Sequence, residues 1–143
     1  AFILLVILNS RKTKVSNTDF SEMSKAVENS VKLNDMISGD AQMLRRLYGL
    51  NENDFDGFVL YYPKTNMNAE ELLLIKLKDI DQKNAVEHAI NNRLGVQKKS
   101  FDGYGADQTA MLEKSIVKIV GNYALFVSAE NPQAVLTVFE HKY

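Results

Sequence analysis

Two stretches of this chain run through the same order of signals, and that repetition constrains the fold more than any single residue. In residues 57–100 and again in residues 116–141, a pair of strand-like segments leads into a helix-start signal and then a helix. In the first, Phe58, Leu60 and Tyr62 alternate with Val59 and Tyr61 until Pro63 ends the strand. Leu73, Ile75 and Leu77 then alternate with Leu72, Leu74, Lys76 and Lys78, and Asp81 is placed to cap a helix. That helix buries Val86, Ala89, Ile90 and Leu94 and is expected to fray past Gly95. In the second, segments 116–120 and 123–129 are joined by Gly121-Asn122, residues that supply the positive φ of a tight hairpin. Asn131-Pro132 comes next, an N-cap with proline at the first helical position, and Val135, Leu136, Val138 and Phe139 carry a last helix.

Ahead of these units, Asp19 and Glu22 have capping-box spacing, and Phe20, Met23, Val27 and Val31 recur at helical intervals, predicting a helix over 20–33. Gly39-Asp40 opens a second, shorter helix through Met43, Leu44 and Leu47, which Gly49 stops in a left-handed cap. Residues 98–105 read as a loop with aromatic anchors, and Asp107 is placed to cap a short turn of helix through Leu112. The expectation is an α+β domain: a four-stranded antiparallel sheet built from two hairpin-helix halves, helices on one face, and two N-terminal helices.

The start of the chain has a different character. Residues 2–8 are an unbroken apolar run, Phe-Ile-Leu-Leu-Val-Ile-Leu, followed by Arg11, Lys12 and Lys14. A helix that spans a bilayer takes about 20 apolar residues, so the run reads as the remnant of a signal anchor, with a buried strand or helix turn as the alternative. Residues 1–18 are therefore set apart as anchor remnant and basic tether, with residues 19–143 as one domain. The tether carries +3 and residues 15–143 carry −4. Basic residues beside an apolar segment suit anionic headgroups, yet they favour the cytoplasmic flank, which pulls against an outward-facing domain.

Little in the sequence assembles chemistry. The chain has no cysteine, which removes disulfides, thiolate metal sites and cysteine nucleophiles. Its histidines, His88 and His141, are too few for a three-histidine metal site; Glu87, beside His88, points elsewhere on the helix, and His141 lies where fraying is expected. Residues 52–57, Glu-Asn-Asp-Phe-Asp-Gly, begin like a calcium loop, but the twelfth position is Pro63 where a bidentate glutamate is needed. Glu70-Glu71 reads as a solvated strand edge. No nucleophile elbow and no phosphate loop occurs, and a net charge of −1 gives no basic footprint for nucleic acid. No enzyme, cofactor or metal is expected. Phe101 and Tyr104 stand out as a loop pair that either pins the post-helix segment or recognises a partner. Tyr61 and Tyr62 point to opposite sheet faces, so a face displaying Val59 and Tyr61 is a candidate binding surface.

Arg93-Leu94, Gln97, Ser100-Phe101, Tyr104 and Gly121-Asn122-Tyr123, with the leading apolar run, resemble a family of uncharacterised cell-envelope domains of Firmicutes, many of them lipoprotein-like. The resemblance covers about residues 19–141 and defines no catalytic residues. Because the chain lacks a cysteine to lipidate, it implies a transmembrane anchor. The resulting expectation is a membrane-anchored, extracytoplasmic, non-enzymatic interaction module with a protein partner in the cell envelope. The alternative is a small-ligand or sensor domain that binds between the sheet and the first two helices.

Overall fold

A computed structural model describes residues 15–143; the apolar run at 2–8 and the basic cluster through Lys14 lie outside the described residues. The order is α1 (Phe20–Asn29), β1 (Met36–Gly39), α2 (Ala41–Tyr48), β2 (Phe55–Pro63), β3 (Glu71–Leu77), α3 (Lys83–Phe101), α4 (Ala106–Glu113), β4 (Ile116–Val120), β5 (Tyr123–Ser128) and α5 (Pro132–Lys142). All strands form one five-stranded sheet in the order β1-β2-β3-β5-β4, and every neighbouring pair is antiparallel.

The α+β class stands, and the four-stranded sheet does not. The fifth strand is β1, which pairs Met36 with Pro63 and Gly39 with Leu60. At four residues, between polar Asn34-Asp35 and Asp40, it is too short to show alternation.

The placement of helices on one face is also overturned. On one side of the sheet, Leu60, Leu73, Ile75, Leu77 and Phe126 pack against Leu44 and Tyr48 of α2 and Val86 and Ile90 of α3. On the other, Leu72, Leu74, Leu125 and Val127 pack against Met23 and Val27 of α1 and Val135 and Phe139 of α5. The cause is in the strands themselves. Leu72 to Ile75 and Ala124 to Val127 are apolar at every position, so both faces of the two central strands must be covered.

Local chemistry explains most element ends. Asp40 accepts from the Met43 amide at 3.0 Å, and Gly49 closes α2 at φ +68. Asn131 caps α5 through the Ala134 amide, with Pro132 at the first helical position. Gly121 turns the β4–β5 hairpin at φ +55, alone, since no non-glycine residue among those described has positive φ. Elsewhere the boundaries move. Asp19 makes no side-chain cap, and α1 stops at Asn29. The helix-start signal after β3 belongs to Asp79, which forms a capping box with Gln82 around a short 3-10 turn, Ile80–Gln82, ahead of α3. α3 runs through Gly95 to Phe101 and absorbs the first half of the segment expected to be loop.

Residues 16–18, read from the sequence as the end of the tether, are tied to the body. Asn122 accepts from the Ser16 amide at 2.9 Å and donates to the Ser16 carbonyl at 3.1 Å. The Ser16 hydroxyl donates to the Tyr143 carbonyl, the Thr18 hydroxyl to the Lys142 carbonyl, and Tyr123 to the Thr18 carbonyl. Both ends of the described chain therefore meet at the pole of the sheet where the β4–β5 turn lies.

Candidate functional site

Strand β3, buried at every position but Lys76, opens with a charge. Glu71 has a side chain only 1% exposed, in register with Ser128 of β5 and on the α3 side of the sheet. A carboxylate there needs a partner, and it has two. Arg93 of α3 grips it with two donors, Nε to Oε2 at 3.0 Å and Nη2 to Oε1 at 2.7 Å. Tyr48, the last residue of α2, donates its hydroxyl to the same Oε2. The triad joins sheet, α2 and α3 at one point. Burial, with the Glu71 carboxylate against it, holds the Tyr48 hydroxyl well above its usual 10.0. For Arg93, burial opposes the charge, but the hydrogen bonds and charge of Glu71 outweigh it and raise its pKa.

Above this triad the protein is open. α2, the C-terminal half of α3 and the β2–β3 connection enclose a cleft of about 490 Å³. Arg46, Lys64 and Arg93 line it together with the polar groups of Asn66, Asn68, Gln97 and Ser100. Met43, Leu47, Tyr62, Phe101 and Tyr104 supply its apolar and aromatic walls. A smaller hollow continues it toward β1 past Ser38, Asp40 and Gln42, sharing Met43, Arg46 and Tyr62. The β2–β3 connection is fixed by the Gln108 side chain of α4, which accepts from the Ala69 amide at 2.7 Å.

The structure divides the four residues singled out in the sequence between two places. Phe101 and Tyr104 both reach the cleft: Phe101 is buried against Ala69 and Leu112, whereas Tyr104 is 65% exposed at the rim. Val59 and Tyr61 lie on the opposite sheet face, which is not open: both pack into the layer beneath α1 and α5. The Tyr61 hydroxyl donates to Glu28 at 2.7 Å, and that bond raises its pKa to about 12. His88 and His141 are exposed on separate helices. Among the described residues no cluster of three His, Asp or Glu could hold a metal ion, and no helix is long and apolar enough to cross a membrane.

Sequence pattern alone misses Glu71 and Tyr48. Glu70-Glu71 has the look of a solvated edge, yet Glu71 heads a strand apolar at almost every later position, where a carboxylate is buried and needs a cation. Arg93, Gln97, Ser100, Phe101 and Tyr104 all carry the family resemblance, and the helix α3 delivers the first four to one side of the cleft.

Fold and site together define a small α+β domain with helices on both faces of an antiparallel sheet and a basic, polar cleft over a buried ion pair. Residues 29–129 match the model of a domain of unknown function, DUF4358, and the chain belongs to that family. The matched stretch contains every residue that lines the cleft, whereas most of α1 and all of α5 flank it. No curated protein and no solved structure matches the chain.

Proposed function

We propose that the domain is a non-enzymatic recognition module whose cleft holds a small ligand. One observation carries the reading: the cleft is concave and lined by convergent polar groups with aromatic walls, and its volume of about 490 Å³ falls within the range of about 300–1,000 Å³ typical of ligand sites. The rigid floor supports it, because the Glu71–Arg93–Tyr48 triad fixes three elements around the opening. Among the described residues no nucleophile, base and stabiliser meet in the cleft, which favours binding over turnover. A protein partner is the second reading, favoured by Tyr104, a large aromatic side chain displayed at the rim.

The setting we propose is the outer face of a membrane in a cell envelope, with the apolar run at 2–8 as the anchor. Support comes from where the tether joins. Ser16 to Thr18 are bound at the β4–β5 turn, and the cleft lies past the other end of β3. A strand of that length puts about 20 Å between the two poles, so an anchored domain presents its cleft away from the bilayer.

Nuclear magnetic resonance mapping with a fragment set of mixed charge tests the site. Shifts are expected at Arg46, Tyr62, Gln97 and Tyr104, and shifts confined to the α1/α5 face would sink the reading. Because the chain has no cysteine, Met67→Cys at the exposed tip of the β2–β3 connection tests the setting. Labelling of intact cells by an impermeant maleimide is expected, and protection until lysis contradicts it.

A further inference from the structure

The proposed ligand site has a charge pattern that narrows the ligand, and this inference rests on that site. The chain carries 17 basic and 18 acidic side chains, yet the cleft is lined by Arg46, Lys64 and Arg93 and by no carboxylate. The neighbouring acids are engaged elsewhere. Glu71 lies beneath the floor in the grip of Arg93, Asp40 accepts from the Met43 amide, and Glu70 accepts from the Asn68 side chain at 3.3 Å. Arg93 spends Nε and Nη2 on Glu71, so its charge is largely balanced. Arg46 and Lys64 make no salt bridge among the described residues. Two cations without a salt-bridge partner therefore line an opening whose other polar groups include the amide donors of Asn66 and Gln97, and Asp40 meets Arg46 only in the adjoining hollow.

We infer that the cleft binds a small organic oxyanion, carboxylate or phosphate, held by Arg46 and Lys64 with its carbon skeleton against Phe101 and Tyr104. Arginine presents paired donors that match the oxygens of either group, and lysine adds a mobile point charge. The aromatic wall takes the apolar remainder of the ligand and disfavours a bare inorganic ion. A lipid headgroup offers the same oxygens, but the tether joins at the pole opposite the cleft, so the ligand is a free anion rather than the membrane that carries the domain.

The experiment is a titration of the described domain with citrate, inorganic phosphate, phosphatidylglycerol vesicles, maltose and choline, read by chemical shifts of the cleft residues. Citrate is expected to bind more tightly than phosphate, and added salt to weaken both. The double variant Arg46→Ala/Lys64→Ala, both exposed positions whose replacement leaves the core intact, is expected to weaken citrate binding by about tenfold or more. Lys118→Ala, remote on β4 and paired with Glu140, leaves it unchanged. Equal citrate affinity in the double variant, or binding to vesicles alone, overturns the inference. Occupancy of the cleft by maltose or choline but not by anions also overturns it while leaving a ligand site in place. If no probe moves the cleft residues, the inference and the ligand site fall together.

Discussion

The two faces of the sheet are both covered by helices but built on different chemistry. Under α1 and α5 the layer is apolar around an aromatic trio, Tyr123, Phe139 and Tyr143, with ring centroids 6.2 to 6.3 Å apart. Its polar groups include the Ser16–Thr18 strap, which closes over the hairpin turn, and the Tyr61–Glu28 hydrogen bond. Under α2 and α3 the apolar layer gives way at one end to a buried ion pair and then to an open cleft. Burying a charge pair is at best a weak way to gain stability, since desolvation offsets most of the attraction. On the proposed reading the face with an ion pair directly beneath an open cleft serves positioning, and the sealed face holds the sheet and the Ser16–Thr18 strap together.

Breaking each face at its centre is the strongest way to test that contrast. Glu71→Ala leaves Arg93 charged and largely buried with Tyr48 unpaired, and urea unfolding is expected to show a loss of about 3–5 kcal/mol. Phe139→Ala, which empties the aromatic trio on the sealed face, is expected to cost about 3–5 kcal/mol as well. The two separate at the cleft: the Phe139 variant keeps the chemical shifts of the cleft residues, and the Glu71 variant moves them. A Phe139 variant that disturbs the cleft as much would erase the distinction between faces.

Alkali sharpens the comparison at one group. Tyr48 ionises near 10 when unfolded but stays protonated in the fold, so above that pH the unfolded chain holds fewer protons and stability falls as pH rises. One such tyrosine contributes a slope of up to about 1.4 kcal/mol per pH unit. Tyr123, raised to about 12 by burial and by Asp19 and Glu22, steepens the loss further. Tyr48→Phe is expected to flatten the denaturation profile above pH 10 by about one proton's worth, and an unchanged slope would show that the phenol does not govern the alkaline loss. The smallest effect lies beside the triad. The Ser128 hydroxyl is buried with no hydrogen-bond partner among the described residues, so Ser128→Ala is expected to raise stability by about 1 kcal/mol. A loss on melting would mean that the hydroxyl is satisfied.

Legibility in the sequence depended on whether a residue's role was local. The caps at Asp40 and Asn131, the stop at Gly49 and the turn at Gly121 are set by neighbours within a few positions, and the sequence shows them. The second covered face is legible too, in the uninterrupted apolar runs of β3 and β5, although an alternating pattern can be traced through the same residues and points to a single covered face. β1 is not legible, because an edge strand of four residues is made by its pairing with β2 rather than by its own pattern. The cleft lies between these cases. Phe101 and Tyr104 announce themselves as aromatics after a helix. The meeting of Tyr48, Glu71 and Arg93 spans three elements far apart in the chain, and no local spacing encodes it.

On this reading the buried ion pair is kept for the cleft and not for the fold. The most direct measurement replaces the whole triad at once, Tyr48→Phe with Glu71→Met and Arg93→Leu, and reads unfolding free energy and citrate affinity on the same protein. The expected result is stability within about 1 kcal/mol of the parent or above it, because no charge is left unpaired, together with loss of binding. A variant several kcal/mol less stable that still binds citrate at the parent's affinity would contradict it.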